Sequence, residues 1–286
     1  MKCFFHDDLD GHCAGAIVKY NHKSCDMFII DYDKKFPFDI IEKNEKIWLV
    51  DFTPQGPGEF KKLYNLVGFD NLIWIDHHQT AIKKVEEQGI KEVKGIRADT
   101  YPSASLLTWD FFQRKTIPDA LKAINAWDTW THKDDPSILN FINGMSSYET
   151  NPENSIWLDL LYDNKSNLFK KISKEGETIS RTRKINNKNY IEKYGFEAQF
   201  KDPEFKDYKC FACNTKGSSK TFDSIIKNYD IVITFIFNGE VYIISLYTEK
   251  DIKVNKIALK FGGGGHPQAA GFECKELPFN KRINNA

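Results

Sequence analysis

The chain has 286 residues, with 40 Lys and Arg balanced by 40 Asp and Glu for a formal net charge of zero. At roughly 100 to 200 residues per domain this length supports about two domains, which excludes a disulfide-stapled miniprotein or a short disordered regulator. The charge balance excludes the basic excess of a protein that tracks long nucleic acid, so contact with any polyanion is expected to be short and local.

In chain order, the first half alternates short apolar runs at 2–5, 27–30, 46–50, 72–75 and 91–96 with helical patterns at 11–20, 58–66 and 81–88. Strands joined by crossover helices predict an α/β fold with a mostly parallel N-terminal sheet flanked by helices. Helices are expected to dominate 103–130 and 156–185. In the latter, Leu168, Ile172 and Ile179 share one face, while Lys170, Lys174, Arg181 and Lys184 share another, read as solvated. Composition turns polar over 186–194, after which strands are expected at 210–214, 231–237 and 241–247 with a helix near 222–228. The predicted organisation is a catalytic domain over 1–150, a helical connector over 151–194, and a smaller α+β domain over 195–286. The six cysteines, Cys3, Cys13, Cys25, Cys210, Cys213 and Cys274, are scattered, and acidic residues recur from Asp7 onward. Free thiols in a reducing cytoplasm are therefore expected. The best apolar run, 231–237, falls far short of the roughly 18 to 20 residues that a membrane span needs, so no membrane partner is expected.

Three apolar runs end in ligand-type side chains. KCFF leads into His6, Asp7, Asp8 and Asp10, KIWLV into Asp51, and LIWI into Asp76, His77 and His78. The carboxyl ends of parallel strands form one rim, where such residues converge across large separations in sequence. Any single Asp at a strand end can serve simply as a helix cap, but three strands with the same ending point to a site. Clustered carboxylates raise one another's pKa unless a cation neutralises them. Carboxylate and imidazole without thiolate favour Mn²⁺ or Mg²⁺ over structural zinc, with room for two ions sharing one carboxylate. Such a pair holds a bridging hydroxide and clamps a phosphoryl group, as in phosphoester hydrolysis.

His6-x-Asp8-x-Asp10-Gly11, the strand end at Asp51, Asp76-His77-His78 and the later Trp127-Asp128, taken together, resemble the DHH phosphoesterase superfamily. Near the C-terminus, Gly262-Gly263-Gly264-Gly265-His266 is similar to the signature of the DHHA1 domain that often accompanies it. Consecutive glycines let backbone N–H groups approach a phosphate, and His266 adds a donor. The resemblance implies that His6, Asp8, Asp10, Asp51, His77 and Asp128 bind metal, with Asp51 bridging two ions, Mn²⁺ first and Mg²⁺ or Co²⁺ as alternatives. Asp76 and His78 take catalytic roles: Asp76 orients a metal-binding histidine, and His78 donates to the scissile phosphate or the leaving oxygen. Gly262, Gly263, Gly264, Gly265 and His266 bind substrate. The pattern departs at His6, where some members have Asp and others place three residues before the next Asp.

Ser103 is expected to cap the helix that follows, outside the site, and Cys210 and Cys213 to lie in a core strand. The chain has no room for the OB-fold with which RecJ-type nucleases hold a long strand. The short motif is closest to the nano-RNase B-type branch. It implies a two-metal phosphodiesterase that cleaves short single-stranded RNA or linear dinucleotides such as pApA to 5′-mononucleotides, without long duplex nucleic acid as a partner. The resemblance also implies a homodimer and closure between two lobes. The alternatives are a phosphatase of 3′-phosphoadenosine 5′-phosphate, a cyclic dinucleotide phosphodiesterase, or a nucleotide-binding module without catalysis.

Overall fold

A computed structural model describes residues 1–32, 34–90, 92–98, 101–132, 135–163 and 165–282. They form two compact units, Met1–Ser180 and Arg181–Ala286.

The first unit is built on four parallel strands, β1 (Lys2–His6), β2 (Asp26–Ile30), β3 (Ile47–Val50) and β4 (Leu72–Ile75), in the order β2-β1-β3-β4. β3 and β4 are buried along their whole length, as expected of strands covered on both faces. Alternation sends Phe4, Leu49 and Trp74 to one face, against Phe60, Leu63 and Val85. Phe5, Trp48 and Ile75 go to the other, against Ala14, Val18 and Leu107. Helix α1 (Leu9–Asn21) connects β1 to β2, α2 (Glu59–Val67) connects β3 to β4, and α3 (Gln79–Glu87) follows β4. From β1 the chain leaves first to β2 on one side and then to β3 on the other. The order thus reverses between β1 and β3, the place where open parallel sheets bind ligands. The register sets Phe5 opposite Val50 and Val50 opposite Ile75, so the residues that follow these strands emerge side by side.

A fifth strand, expected over 91–96, is absent as a continuous element. Lys94 and Arg97 make isolated parallel bridges to Ile73 and Asp76. Between them Gly95 adopts φ +118°, and a Cβ there would collide with the Trp74 carbonyl oxygen, so the chain bulges instead of extending the ladder. Lys91, the first residue of that run, lies outside the described residues.

Helices α4 (Ala104–Phe111), α5 (Asp119–Asp128), α6 (Pro136–Met145), α7 (Ile156–Leu161) and α8 (Leu168–Tyr194) complete this half of the chain. α1 and α4 to α8 share a core that includes Ile17, Trp109, Ile124, Phe141, Trp157 and Ile172. Within α8, Ile172 and Gly176 are buried while Lys170, Lys174, Arg181 and Lys184 are exposed, the face expected to be solvated. The helix runs through the polar stretch 186–194 rather than stopping near 185. No Gly or Pro interrupts that stretch, and Lys188 and Glu192 pair one turn apart at 3.8 Å.

The second unit holds β5 (Gly195–Phe200), β6 (Cys210–Asn214), β7 (Ile231–Phe237), β8 (Tyr242–Tyr247), α9 (Val254–Lys260), β9 (Gly264–His266), β10 (Ala269–Cys274) and β11 (Phe279–Lys281). The strands form one seven-stranded mixed sheet, ordered β11-β5-β6-β7-β8-β10-β9, in which only β6 and β7 pair in parallel. The helix expected near 222–228 is instead two single 3₁₀ turns, Ser219–Phe222 and Ile226–Asn228. These place Phe222 and Ile226 in a small core and are too short to propagate as an α-helix. Cys210 and Cys213 are buried in β6 three residues apart, so they face opposite sides of the sheet and pack into different cores. Among the described residues no helix is long and apolar enough to cross a membrane.

Candidate metal and phosphoester site

The carboxyl ends of β1, β3 and β4 gather the charged residues of the first unit. Asp8 is the N-cap of α1 and also part of the cluster. Its Oδ1 accepts from the Gly11 amide at 2.9 Å, while its Oδ2 lies 2.8 Å from His6 Nδ1. Gly11 is required here, because a Cβ would run into the His6 backbone. Two residues on, Asp10 is buried and accepts from the Ser105 hydroxyl at 2.5 Å and from the Ser105 amide at 3.3 Å.

Asp51 directly follows β3 with φ +57°, a left-handed conformation that a non-glycine residue adopts at a cost in strain. Its side chain is 1% exposed, and neither carboxylate oxygen has a hydrogen-bond partner. The nearest imidazole nitrogens are His77 Nε2 at 3.5 Å and His6 Nδ1 and His78 Nδ1, each at 3.7 Å. Asp128, the last residue of α5, points its carboxylate from the end of the helix where the macrodipole is already negative. Its Oδ2 is buried without a hydrogen bond, 3.2 Å from His77 Nε2.

Three sets of ligand atoms result, each with its members within 4.8 Å of one another: His6, Asp8 and Asp51; Asp51, His77 and His78; and Asp10, His77 and Asp128. Asp51 belongs to the first two and His77 to the last two. Buried carboxylate oxygens left unpaired, several anions in one cavity, and an oxygen and nitrogen donor set together fit hard divalent cations.

The electrostatics of the cluster follow from burial and from the close approach of several carboxylates. Burial and the neighbouring Asp51 and Asp128 hold the Asp10 carboxyl well above the usual range. Asp51 is raised by burial despite His6 and His77. Burial, then Asp51, pushes Asp128 up to about 6. Burial opposes the charged form of His6, but the neighbouring Asp51 and Asp8 carboxylates outweigh it and lift its pKa to about 11. Burial likewise opposes charge on His77, where Asp51 first and then Asp10 and Asp128 raise it to about 10. Asp8 is drawn down to about 2, because His6 and the Gly11 amide overcome the effect of its burial.

Asp76 is fully buried and yet held below its ordinary pKa, since its hydrogen bonds outweigh desolvation. Its Oδ1 accepts from the amides of His77 and His78 at 2.7 and 3.0 Å, and lies 2.7 Å from His78 Nδ1. An ionised carboxylate only accepts, so His78 donates through Nδ1. The imidazole that Asp76 orients is therefore that of His78, with His77 held through its backbone. Oδ2 of Asp76 accepts from Thr53 Oγ1 at 2.5 Å, and Trp74 Nε1 donates to Thr53 at 2.9 Å.

Ser105, Thr53 and Asp31, whose Oδ1 is 3.5 Å from His6 Nε2, were not expected at the site. Ser105, the second residue of α4, ends a run of small residues, the one local signal that marks it. Ser103 occupies the N-cap position of α4, but its side chain caps nothing. Its hydroxyl meets that of Ser105 at 3.1 Å, and its amide donates to Asn125. Asp99 and Thr100, in the same run, lie outside the described residues. Asp7 stays exposed beside His12 at 3.3 Å.

Gly262 to His266 belong to the second unit. Gly262 takes φ +82° just beyond α9, where its amide bonds to Leu259 and that of Gly263 to Ala258, a Schellman ending. Gly263 packs against Gly271 so closely that a Cβ would collide with its carbonyl oxygen, and Gly265 takes φ +134°. Gly264 faces open space, and His266 is exposed on the edge strand β9.

Residues 208–286 match the DHHA1 domain. No curated protein sequence matches the chain. Among solved structures, the chain is similar to the pGpG-specific phosphodiesterase PggH of Vibrio cholerae, at 13% identity over 96% of this chain and 92% of that one, with a TM-score of 0.57. It is also similar to an exopolyphosphatase-related protein of Bacteroides fragilis, at 16% identity over 96% and 87% of the two chains, with a TM-score of 0.47. A third similar structure is RecJ in complex with Mn²⁺ from Thermus thermophilus, at 15% identity over 95% and 49%, with a TM-score of 0.48.

Proposed function

We propose that the chain, whose residues 208–286 match the DHHA1 domain, is a DHH/DHHA1 phosphoesterase and acts as a metal-dependent phosphodiesterase cleaving very short oligoribonucleotides and linear dinucleotides, such as pApA or pGpG, to 5′-mononucleotides. The observation that carries this reading is the buried Asp51 carboxylate, unpaired and common to two sets of ligand atoms. A divalent cation is the group whose chemistry answers that arrangement.

His6, Asp8, Asp10, Asp51, His77 and Asp128 would hold two ions, with Asp51 serving both. Mn²⁺ suits this mixture of carboxylate and imidazole, and Mg²⁺ or Co²⁺ would be accepted as well. When bound, the ions supply Lewis-acid polarisation of the phosphoryl group and lower the pKa of the attacking water. Every other contribution comes from side chains of this chain. Asp76 fixes the His78 ring through Nδ1, which leaves Nε2 to donate to the scissile phosphate or to the leaving oxygen. Thr53 and Trp74 keep Asp76 ionised and in place. On this reading residues 1–150 perform the chemistry, 151–194 connect, and 195–286 bind substrate, with Gly262 to Gly265 and His266 contacting a phosphate. The setting would be cytoplasmic, with the chain paired as a homodimer.

Incubation of the purified protein with Mn²⁺ and pApA or pGpG, alongside 3′-phosphoadenosine 5′-phosphate, cyclic di-AMP and pyrophosphate, tests the proposal. Mononucleotide release is expected, abolished by EDTA and fastest from the linear dinucleotides. Faster turnover of one of the other compounds would refute the substrate assignment, and no turnover with any metal would refute hydrolysis.

A further inference from the structure

Helix α5 ends in a Schellman motif. The Thr131 amide bonds to the Ala126 carbonyl at 2.9 Å and the Trp130 amide to the Trp127 carbonyl at 3.2 Å. The residue at the left-handed position of this turn is Trp130, with φ +58°. Glycine is the usual occupant of that position, because a Cβ is disfavoured there. The same bond pattern closes α9 on Gly262 and α4 on Gln113, at φ +52°, so what sets Trp130 apart is the exposed indole that it carries at such a position. A tryptophan in this place costs backbone strain, and it recovers nothing through burial, since Trp130 is 80% exposed, more than any other large hydrophobic side chain among the described residues. One face of its indole lies near parallel to Trp127, with centroids 6.4 Å apart and planes at 19°, and the His132 ring stands at 6.2 Å. The turn begins immediately after Asp128, one of the ligand-type residues of the site.

An aromatic side chain that is strained, exposed and braced by a second indole, two residues beyond the phosphoester site, has the properties of a stacking surface. We infer that Trp130 binds a nucleobase of the substrate by stacking, with Trp127 supporting it from behind. The inference rests on the nucleotide substrate class proposed above. Stacking tolerates any base, because every base presents a π-face. The platform would therefore hold short oligonucleotides by base and phosphate together, without reading their sequence.

The test is a titration of the Mn²⁺-loaded protein with AMP and with ribose 5-phosphate, on the wild type and on Trp130→Gly and Trp130→Phe. Trp130→Gly is expected to weaken AMP binding roughly 5- to 100-fold and to leave ribose 5-phosphate binding unchanged. Its melting temperature should equal or exceed that of the wild type, because glycine relieves the left-handed strain. Trp130→Phe should retain most of the AMP affinity. Equal losses for both ligands, an unaltered AMP affinity, or a wild type that does not prefer AMP would each overturn the inference. So would a fall in melting temperature like that caused by losing a core tryptophan. Dinucleotide hydrolysis is measured in parallel. If none is detected while AMP binding depends on Trp130, the hydrolase reading fails and the stacking platform stands.

Discussion

Replacing Asp10 with Asn should stabilise the metal-free protein and destabilise the metal-loaded one. Asn keeps the shape of the side chain and can still accept from the Ser105 hydroxyl, so packing is conserved and only the charge is removed. Asp10 and Asp128 place carboxylate oxygens within 4.8 Å of each other. At that separation and an effective dielectric of about 20, two ionised groups repel by about 3.5 kcal/mol. His77 belongs to the same set and offsets part of this, leaving a net gain for the variant of about 1 to 2 kcal/mol. Asp10 has a folded pKa above its unfolded one, so its charge weakens the fold as pH rises. The gain should therefore be largest near pH 8 and vanish towards pH 4. In a unit of the size of Met1–Ser180 it corresponds to a melting temperature higher by about 2 to 8 °C. With Mn²⁺ at about 100 times its dissociation constant, the wild type should gain about 2.7 kcal/mol that the variant lacks. Differential scanning fluorimetry at pH 8, with EDTA and with Mn²⁺, should thus show the order of stabilities inverting. A variant less stable than the wild type in EDTA would refute the idea that Asp10 belongs to an uncompensated anion cluster.

Thr53→Val removes the hydroxyl that Asp76 accepts from, and should lower metal affinity or turnover by about 10- to 100-fold while secondary structure is retained; calorimetry and steady-state kinetics would detect it, and unaltered turnover would separate Thr53 from the site. Metal binding should release protons, since His6 at about 11 and His77 at about 10 hold theirs at neutral pH in the metal-free protein. Apparent affinity should then rise with pH, and calorimetric enthalpies should differ between phosphate-free buffers of unequal ionisation enthalpy; equal enthalpies would contradict the release. Gly263→Ala should destabilise by about 1 to 3 kcal/mol through its collision with β10, whereas Gly264→Ala, which meets open space, should leave the melting temperature unchanged. If the glycine run contacts a substrate phosphate, Gly264→Ala should still raise KM for pApA, and an unaltered KM would remove Gly264 from the binding surface.

Strand-end chemistry was the most legible part of this chain. Residues 3–5, 47–50 and 72–75 are buried, so their composition is uniformly apolar, and the first polar residue after each marks the rim of the sheet. Ser105 and Thr53 escaped notice because a hydroxyl that supports a buried carboxylate carries no signature of its own, and Ser105 reaches Asp10 across 95 positions of sequence. The strand expected over 91–96 is broken at Gly95, whose positive φ accompanies the close approach of the Trp74 backbone, a tertiary contact that the sequence alone does not display. Trp130 shows the converse. Its aromatic character suggests a core residue, and only the left-handed turn at the end of α5 reveals that it faces outward.

The spacing of the ligand residues also imposes an order on synthesis. His6, Asp8, Asp51, His77 and His78 have all been made once 78 residues exist, but the set of Asp10, His77 and Asp128 waits for a further 50. At about 5 to 20 residues per second a ribosome takes roughly 3 to 10 seconds over that interval. Over that interval Asp10 lacks Asp128 throughout and Ser105 until residue 105 has been added, and the third set cannot close. If the three sets hold ions as proposed, full loading becomes available only after α4 and α5 have been made, when a little under half of the chain exists. A nascent chain stalled before Asp128 would carry an incomplete centre.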